Sequence, residues 1–279
     1  MTGTLLSIGH GYSARALARR LIPRGWTVIG TTRSGDKAAR LAREGVEPLI
    51  WPGQALPFER ATHLLTSVSP DDNGDPVIAA AGSELRQAIH LEWVGYLSTT
   101  GVYGDRMGGW VNETSELRPA TARGKARVLA ESEWASLGLP LHIFRLAGIY
   151  GPGRGPFAKV ESGQARRIIK PGQVFSRIHV EDIAQVLEAS IAHPNPGAIY
   201  NVCDDDPAPP EDVIAYAAEL LGLPLPEAVA FEDADMSPMA RSFYAESKRV
   251  RNDRIKDELG VDLIYPDYRT GLKAMLEDR

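Results

Sequence analysis

Near the start of the chain the spacing of apolar positions changes twice. Leu5-Leu6-Ser7-Ile8 is a short apolar run ending in Gly9-His10-Gly11, after which Ala14, Leu17, Ala18 and Leu21 recur at helical spacing. A strand, a glycine turn and a helix are predicted. Pro23-Arg24-Gly25 stops that helix, and Trp26 to Gly30 is apolar and β-branched enough to be the next strand, completing a βαβ unit. Further buried strands are predicted at Glu47 to Trp51, His63 to Val68, Trp93 to Ser98, Leu141 to Leu146 and Ala198 to Val202. Helical patterns such as Val77 to His90 and Lys125 to Leu137 lie between them. This alternation implies an α/β fold of the Rossmann type, a doubly wound parallel sheet with helices on both faces.

After Leu146 the pattern loosens. Gly148 to Pro156 holds four glycines and two prolines, a hairpin is predicted around Pro171-Gly172, and Asp204 to Asp212 is an acidic, proline-rich turn. Val213 to Leu221 and Lys248 to Leu259 read as amphipathic helices. Residues 1–150 with 179–203 are therefore expected to form the larger unit. Residues 151–178 with 204–279 would form a smaller lobe over the carboxyl ends of the strands, where open α/β sheets bind ligands.

Composition narrows the function classes. The 279 residues suffice for a core without covalent staples, and 31 Lys and Arg against 36 Asp and Glu leave a net charge of −5. With no long basic run, nucleic acid is not an expected partner. The single cysteine, Cys203, excludes an internal disulfide framework and a multi-cysteine zinc site, and reads as a buried, inert thiol. No basic n-region opens the chain, and no apolar stretch reaches the roughly 18 residues of a membrane span, so a cytoplasmic protein is expected. The six histidines show no i, i+4 pair, and no G-x-S-x-G elbow occurs, so neither a metal centre nor a serine nucleophile is indicated.

Gly9-His10-Gly11-Tyr12-Ser13-Ala14 fits G-x-G-x-x-A between a predicted strand and a predicted helix. The first glycine permits the tight turn, the second admits a pyrophosphate close to the backbone, and Ala14 allows close helix packing. The helix N-terminus then stabilises the anion. At the end of the second strand the chain reads Thr31-Thr32-Arg33-Ser34, with no acid to accept a ribose hydroxyl and with an arginine suited to a 2′-phosphate. NADP is therefore favoured over NAD. Arg15 is a further candidate for the adenosine phosphate.

Several later segments resemble the extended short-chain dehydrogenase/reductase family, also called the NAD-dependent epimerase/dehydratase family. Tyr96 to Asp105 is similar to its strand-end hydroxyl segment followed by V-Y-G-D, and Phe144 to Gly153 to its R-x-x-N-x-Y-G-P-G. His179 to Ala184 resembles H-V-x-D-x-A, and Ala198 to Val202 the Y-N-V strand. The resemblance implies that Thr99 hydrogen-bonds the reacting oxygen, and family habit implies a homodimer. It also implies a Tyr and a Lys four residues apart, but the corresponding segment, Pro119 to Glu131, has Arg123 and Arg127 in those places. A guanidinium is not an ordinary proton shuttle, so Arg123 cannot do what the tyrosine does, whereas Arg127 can still supply a fixed charge and a ribose ligand. A register two residues earlier pairs Thr121 with Lys125 at the same spacing, at the expense of the flanking Pro, Gly and Glu matches. Tyr103, Tyr150 and His179 are further proton-donor candidates. Gly148 replaces the motif's Asn, and the diphosphate-gripping Arg would fall at Phe175, with Arg177 two residues on.

The chain thus reads as an atypical member lacking the Tyr-x-x-x-Lys pair. Its candidate catalytic residues are Thr99, Arg123 and Arg127. Its candidate cofactor contacts are Gly9, His10, Gly11, Tyr12, Ala14, Thr32, Arg33, Ser67, Val68, Thr99 and Arg127. The expected function is that of an NAD(P)-dependent oxidoreductase or epimerase acting on a small polar, anionic or nucleotide-sugar-like substrate. The rival is a non-catalytic NADP(H)-binding sensor or regulator. Two arginines on one helix face would attract a carboxylate or phosphate, unless both are taken by neighbours such as Glu131. Asp182 is expected at a helix start, where it would favour the positive end of the dipole.

Overall fold

The computed structural model describes residues 2–279. In chain order its first half runs β1 (Thr4–Ile8), α1 (Tyr12–Leu21), β2 (Thr27–Thr32), α2 (Gly35–Arg43), β3 (Glu47–Ile50), β4 (His63–Thr66), α3 (Pro76–Gln87) and β5 (Trp93–Thr99). It continues through β6 (Trp110–Val111), α4 (Ala122–Ala135), β7 (Leu141–Leu146), β8 (Gly148–Tyr150), α5 (Phe157–Glu161), β9 (Arg167–Ile169), β10 (Arg177–His179) and α6 (Val180–Ala192). The remainder is β11 (Ile199–Val202), α7 (Pro210–Leu220), β12 (Ala228–Ala230), α8 (Pro238–Phe243), β13 (Arg249–Val250), α9 (Asp253–Asp257) and α10 (Tyr268–Glu277).

Seven strands form one parallel sheet in the order β11-β7-β5-β4-β1-β2-β3. The order reverses between β1 and β4, and a crevice opens at such a switch point beyond the strand ends. Neighbouring residues of one strand join opposite cores, as strand geometry requires. Leu5, Leu65, Trp93 and Phe144 pack on one face with α1 and α6, while Leu6, Leu64, Val94 and Ile143 pack on the other with α3 and α4. A third core gathers Tyr150, Phe157, Val213, Ala217, Tyr268 and Leu272. This is the Rossmann-like α/β fold that the alternating pattern implies, with helices on both faces.

The local departures have identifiable causes. Helix α4 begins earlier than its apolar pattern suggests because Thr121 caps it, its hydroxyl oxygen accepting from Gly124 N–H at 3.1 Å. Helix α7 likewise starts at Pro210, whose fixed φ suits the first turn. The hairpin expected around Pro171-Gly172 does not form. Instead β9 pairs with β12 and β10 with β8, both in parallel, and Phe175 exchanges backbone bonds with Ala208. Nor does a helix start at Lys248, because Arg249 and Val250 pair with Trp110 and Val111, which leaves only the short α9 further on. Asp182 does stand at a helix start, in the first turn of α6. His179 occupies the cap position of α6, while the Asp182 carboxylate accepts from Ile264 N–H at 2.7 Å and Tyr265 N–H at 3.1 Å, pinning the C-terminal segment. Cys203 is fully buried and its thiol donates to Val250 O, and burial pushes that thiol's pKa well up.

One polar network ties α4 to the sheet. Arg145 on β7 makes a two-pronged bond to Glu131 on α4, at 3.1 and 2.7 Å, and Ser98 donates to the same carboxylate at 2.5 Å. Arg145 also donates to Tyr103 Oη, which in turn donates to Asn201 on β11 at 2.7 Å. The two charged side chains are only 3% and 6% exposed, so removing one partner strands a buried charge. Glu131→Gln should therefore lower unfolding free energy by about 3–5 kcal/mol in urea titrations. A loss below about 1 kcal/mol, the level of an exposed pair, would contradict this role.

Candidate active site

The glycine turn after β1 is held from below. Gly9 has φ +74°, and a Cβ there would press on Val68 and Ser67 at 3.0 to 3.2 Å, so glycine is required twice over. Ser67 Oγ donates to Gly9 O at 2.5 Å, and Gly9 N–H donates to Thr31 Oγ1 at 2.8 Å. Gly11 is different, since a Cβ on it would meet only Gly9 O at 3.5 Å, and its outer face is open. Helix α1 starts there with no side-chain cap and no acid in its first turn, so among the described residues its N-terminal N–H groups have no capping carboxylate.

His10 offers the cleft little. Its ring turns inward to Ser7 Oγ at 2.9 Å, its backbone N–H donates to Thr31 O, and the ring fills the space that a side chain at Gly30 would need. Ala14 is buried in helix packing, and Val68 packs against the core. Thr32 is buried at the end of β2, with Arg33 beyond it exposed and without an ion-pair partner among the described residues. Arg15 is occupied, its guanidinium forming a two-pronged pair with Glu44.

Beyond the carboxyl ends of β1, β4 and β5 lies a cavity of about 1030 Å³ that brings together Gly9, Gly11, Tyr12, Ser67, Thr99, Arg123 and Arg127. Thr99 caps a 3₁₀ turn over Thr100–Tyr103, its oxygen accepting from Gly101 N–H at 3.2 Å, which leaves its own hydrogen free to donate elsewhere. Arg127 donates to Leu97 O at 2.8 Å and to Tyr96 Oη at 3.1 Å. Arg123 instead lies over the Phe243 ring at 5.0 Å. Glu131 takes neither arginine, being bound to Arg145. Lys125 is exposed and does not line the cavity, whereas Thr121 lines it with its oxygen engaged in the cap.

The other proton-donor candidates are held in packing. Tyr103 Oη belongs to the Arg145 network. Tyr150 lines the cavity, but its hydroxyl donates to Asp267 O, and burial drives its pKa far above the ordinary tyrosine value. His179 is buried against Tyr150 and Tyr265, and burial pulls its pKa down to about 4.

Four cavity-lining charges were not among the sequence-derived site residues: Arg154, Arg177, Glu246 and Lys248. Arg154 reaches the site from the glycine-rich stretch after β8 and lies over Tyr12 at 5.8 Å. Arg177, named in the sequence only for its offset from Phe175, bonds to Phe175 O and Ala208 O. Lys248 was hidden by reading the chain from it onward as helix, and Glu246 lies just before that stretch. With these residues the cavity wall carries five cations against one carboxylate, in a chain whose net charge is −5.

No family model matches the chain. Protein YeeZ of Escherichia coli K12 is 32% identical over 279 residues, spanning 93% of this chain and 95% of its own length. The structure of a functionally unknown conserved protein from Silicibacter pomeroyi is 63% identical and superposes with a TM-score of 0.95 over 99% of both chains. At lower identity, which bears on the fold alone, human epimerase family protein SDR39U1 with NADPH gives a TM-score of 0.74 at 16% identity, over 99% of this chain and 100% of that one. The dTDP-glucose 4,6-dehydratase of Bacillus anthracis in complex with NAD gives 0.78 at 13% identity, over 98% and 95%.

The seat of His10 makes a prediction about pH. Burial pulls its pKa from 6.5 down to about 4, so the folded chain holds it neutral. As pH falls through 6.5 towards 4 the unfolded chain gains a proton that the folded chain refuses, and stability is lost. Between about pH 7.5 and about pH 5 this one group should remove roughly 2 kcal/mol. Urea unfolding of His10→Gln at both pH values should show a pH-dependent loss smaller by that amount. Identical pH dependence in variant and parent would refute the assignment.

Proposed function

The chain belongs to the same family as Escherichia coli protein YeeZ, and from that premise we propose that it is an NADP(H)-dependent oxidoreductase or epimerase acting on a small anionic substrate. The observation that carries this reading is the union of an open glycine turn and a cation-rich wall in one cavity at the switch point of the sheet.

The residues present fit a dinucleotide. Gly11 leaves room for a pyrophosphate against the backbone, and the uncapped N-terminus of α1 supplies N–H donors and a favourable dipole. Arg154, beside Tyr12, adds a positive charge from the opposite wall. Arg33, exposed and unpaired past β2, suits a 2′-phosphate, and no acid stands between Thr31 and Ser34 to prefer a free ribose hydroxyl.

A bound nicotinamide supplies or accepts a hydride. The Thr99 hydroxyl, free to donate, holds the oxygen of the reacting carbon. Arg127, anchored to Leu97 O and Tyr96 Oη, presents a fixed charge at the nicotinamide end. Arg123 and Arg177 give the substrate's anionic group a place to bind and raise its local concentration. No guanidinium surrenders a proton at ordinary pH, so the wall orients the substrate rather than titrating with it. The two arginines in the dyad positions also support a second reading, a non-catalytic NADP(H) sensor. In that case Thr99→Ala would leave every measured property except cofactor affinity unchanged.

Fluorescence titration with NADPH and NADH tests the cofactor assignment. NADPH should bind at least about tenfold more tightly, or about 1.4 kcal/mol. Arg33→Ala should erase that preference while leaving NADH affinity as it was. Equal affinity of the parent for both nucleotides would remove Arg33 from the site, and binding of neither would remove the dinucleotide altogether.

A further inference from the structure

The cavity wall built by the chain after Pro171 is aromatic as well as cationic. Phe175, Phe243 and Tyr244 all line it. Phe175 meets Tyr244 edge to face at 5.5 Å, and Arg177 lies over Phe175 at 6.0 Å. Phe243, with Arg123 above it, remains 51% exposed. Partly exposed rings inside a concave, charged site are suited to stacking on a ligand ring.

The next residues alternate as an extended chain does. Ser247 is turned into the protein, its Oγ donating to Gly172 O at 3.0 Å and accepting from Val174 N–H at 3.2 Å. Its own N–H donates to Asp105 Oδ1 at 2.8 Å, which stitches the segment to the loop after Thr99–Tyr103. Glu246 and Lys248, on either side, line the cavity. They form a 2.6 Å pair in which each side chain is 11% exposed, so the carboxylate fixes the ammonium in place.

We propose that this wall is the seat of an aromatic carboxylate. The ligand ring packs among Phe175, Phe243 and Tyr244, and its carboxylate meets Lys248 within the positive field of Arg123 and Arg177. The proposal deepens the function proposed above and rests on it, since it names the substrate class of the same cleft.

Isothermal titration calorimetry of the full chain, with and without NADP, tests it. The probes are 4-hydroxycinnamate, its saturated counterpart 3-cyclohexylpropionate, uridine diphosphate and inorganic phosphate. The aromatic acid should bind about tenfold more tightly than each of the other three. Lys248→Met should weaken it by about tenfold, Lys248→Arg should restore most of the affinity, and Phe175→Leu should erase the preference over the saturated acid. Equal binding of the two acids, tighter binding of uridine diphosphate or phosphate, or indifference to Lys248→Met would overturn the proposal. The paired titrations keep the two claims separate: lost NADP affinity strikes the dinucleotide reading, and lost ring preference strikes this one.

Discussion

The buried bond between Glu131 and Arg145 is the constraint from which the cleft's geometry follows. It joins the middle of α4 to the end of β7, while Ser98 brings in β5 and the Tyr103–Asn201 bond brings in β11. Such a pair adds little net stability over a well-packed apolar alternative, because both charges are desolvated. What it supplies is a fixed relation between α4 and the sheet edge. Arg123 and Arg127 lie two turns and one turn before Glu131 on the same helix, so that relation also determines where their guanidinium groups sit.

The opposite wall is set by a different device. The glycine turn is anchored from beneath by Thr31, Ser67 and the inward ring of His10, none of which obstructs the outer face of Gly11. One wall therefore offers backbone donors and a helix dipole, and the other offers guanidinium and ammonium charges with aromatic rings between them. Both walls suit an anionic ligand. Five of the chain's 31 Lys and Arg line this one cavity against a single carboxylate, so the local field there is positive although the net charge of the chain is −5.

The parallel sheet was legible in the chain because strands buried on both faces are written as largely apolar runs, as at Trp93 to Leu97. The glycine turn was legible because its constraints are local, involving a positive φ and a close approach. The lobe side of the cleft was not. Lys248 to Val250 is extended only because β6 lies beside it, and nothing within ten residues signals that partner. Arg177 reaches the cavity from β10 and Arg154 from the turn after β8, strands that pair with each other across a long loop. Two motif residues also proved to have a structural role. Glu131 and Arg145, read as landmarks of the family pattern, are bound to each other rather than to the site's arginines.

One cleft is proposed to hold a dinucleotide against the glycine turn and its reacting end against α4. A crystal structure of the protein grown with NADPH tests this most directly. The pyrophosphate should lie over Gly9, Gly11 and the first turn of α1, the 2′-phosphate at Arg33, and the nicotinamide ring beside Thr99 and Arg127. A nucleotide bound elsewhere on the protein, or one whose pyrophosphate lies away from Gly11, would contradict it.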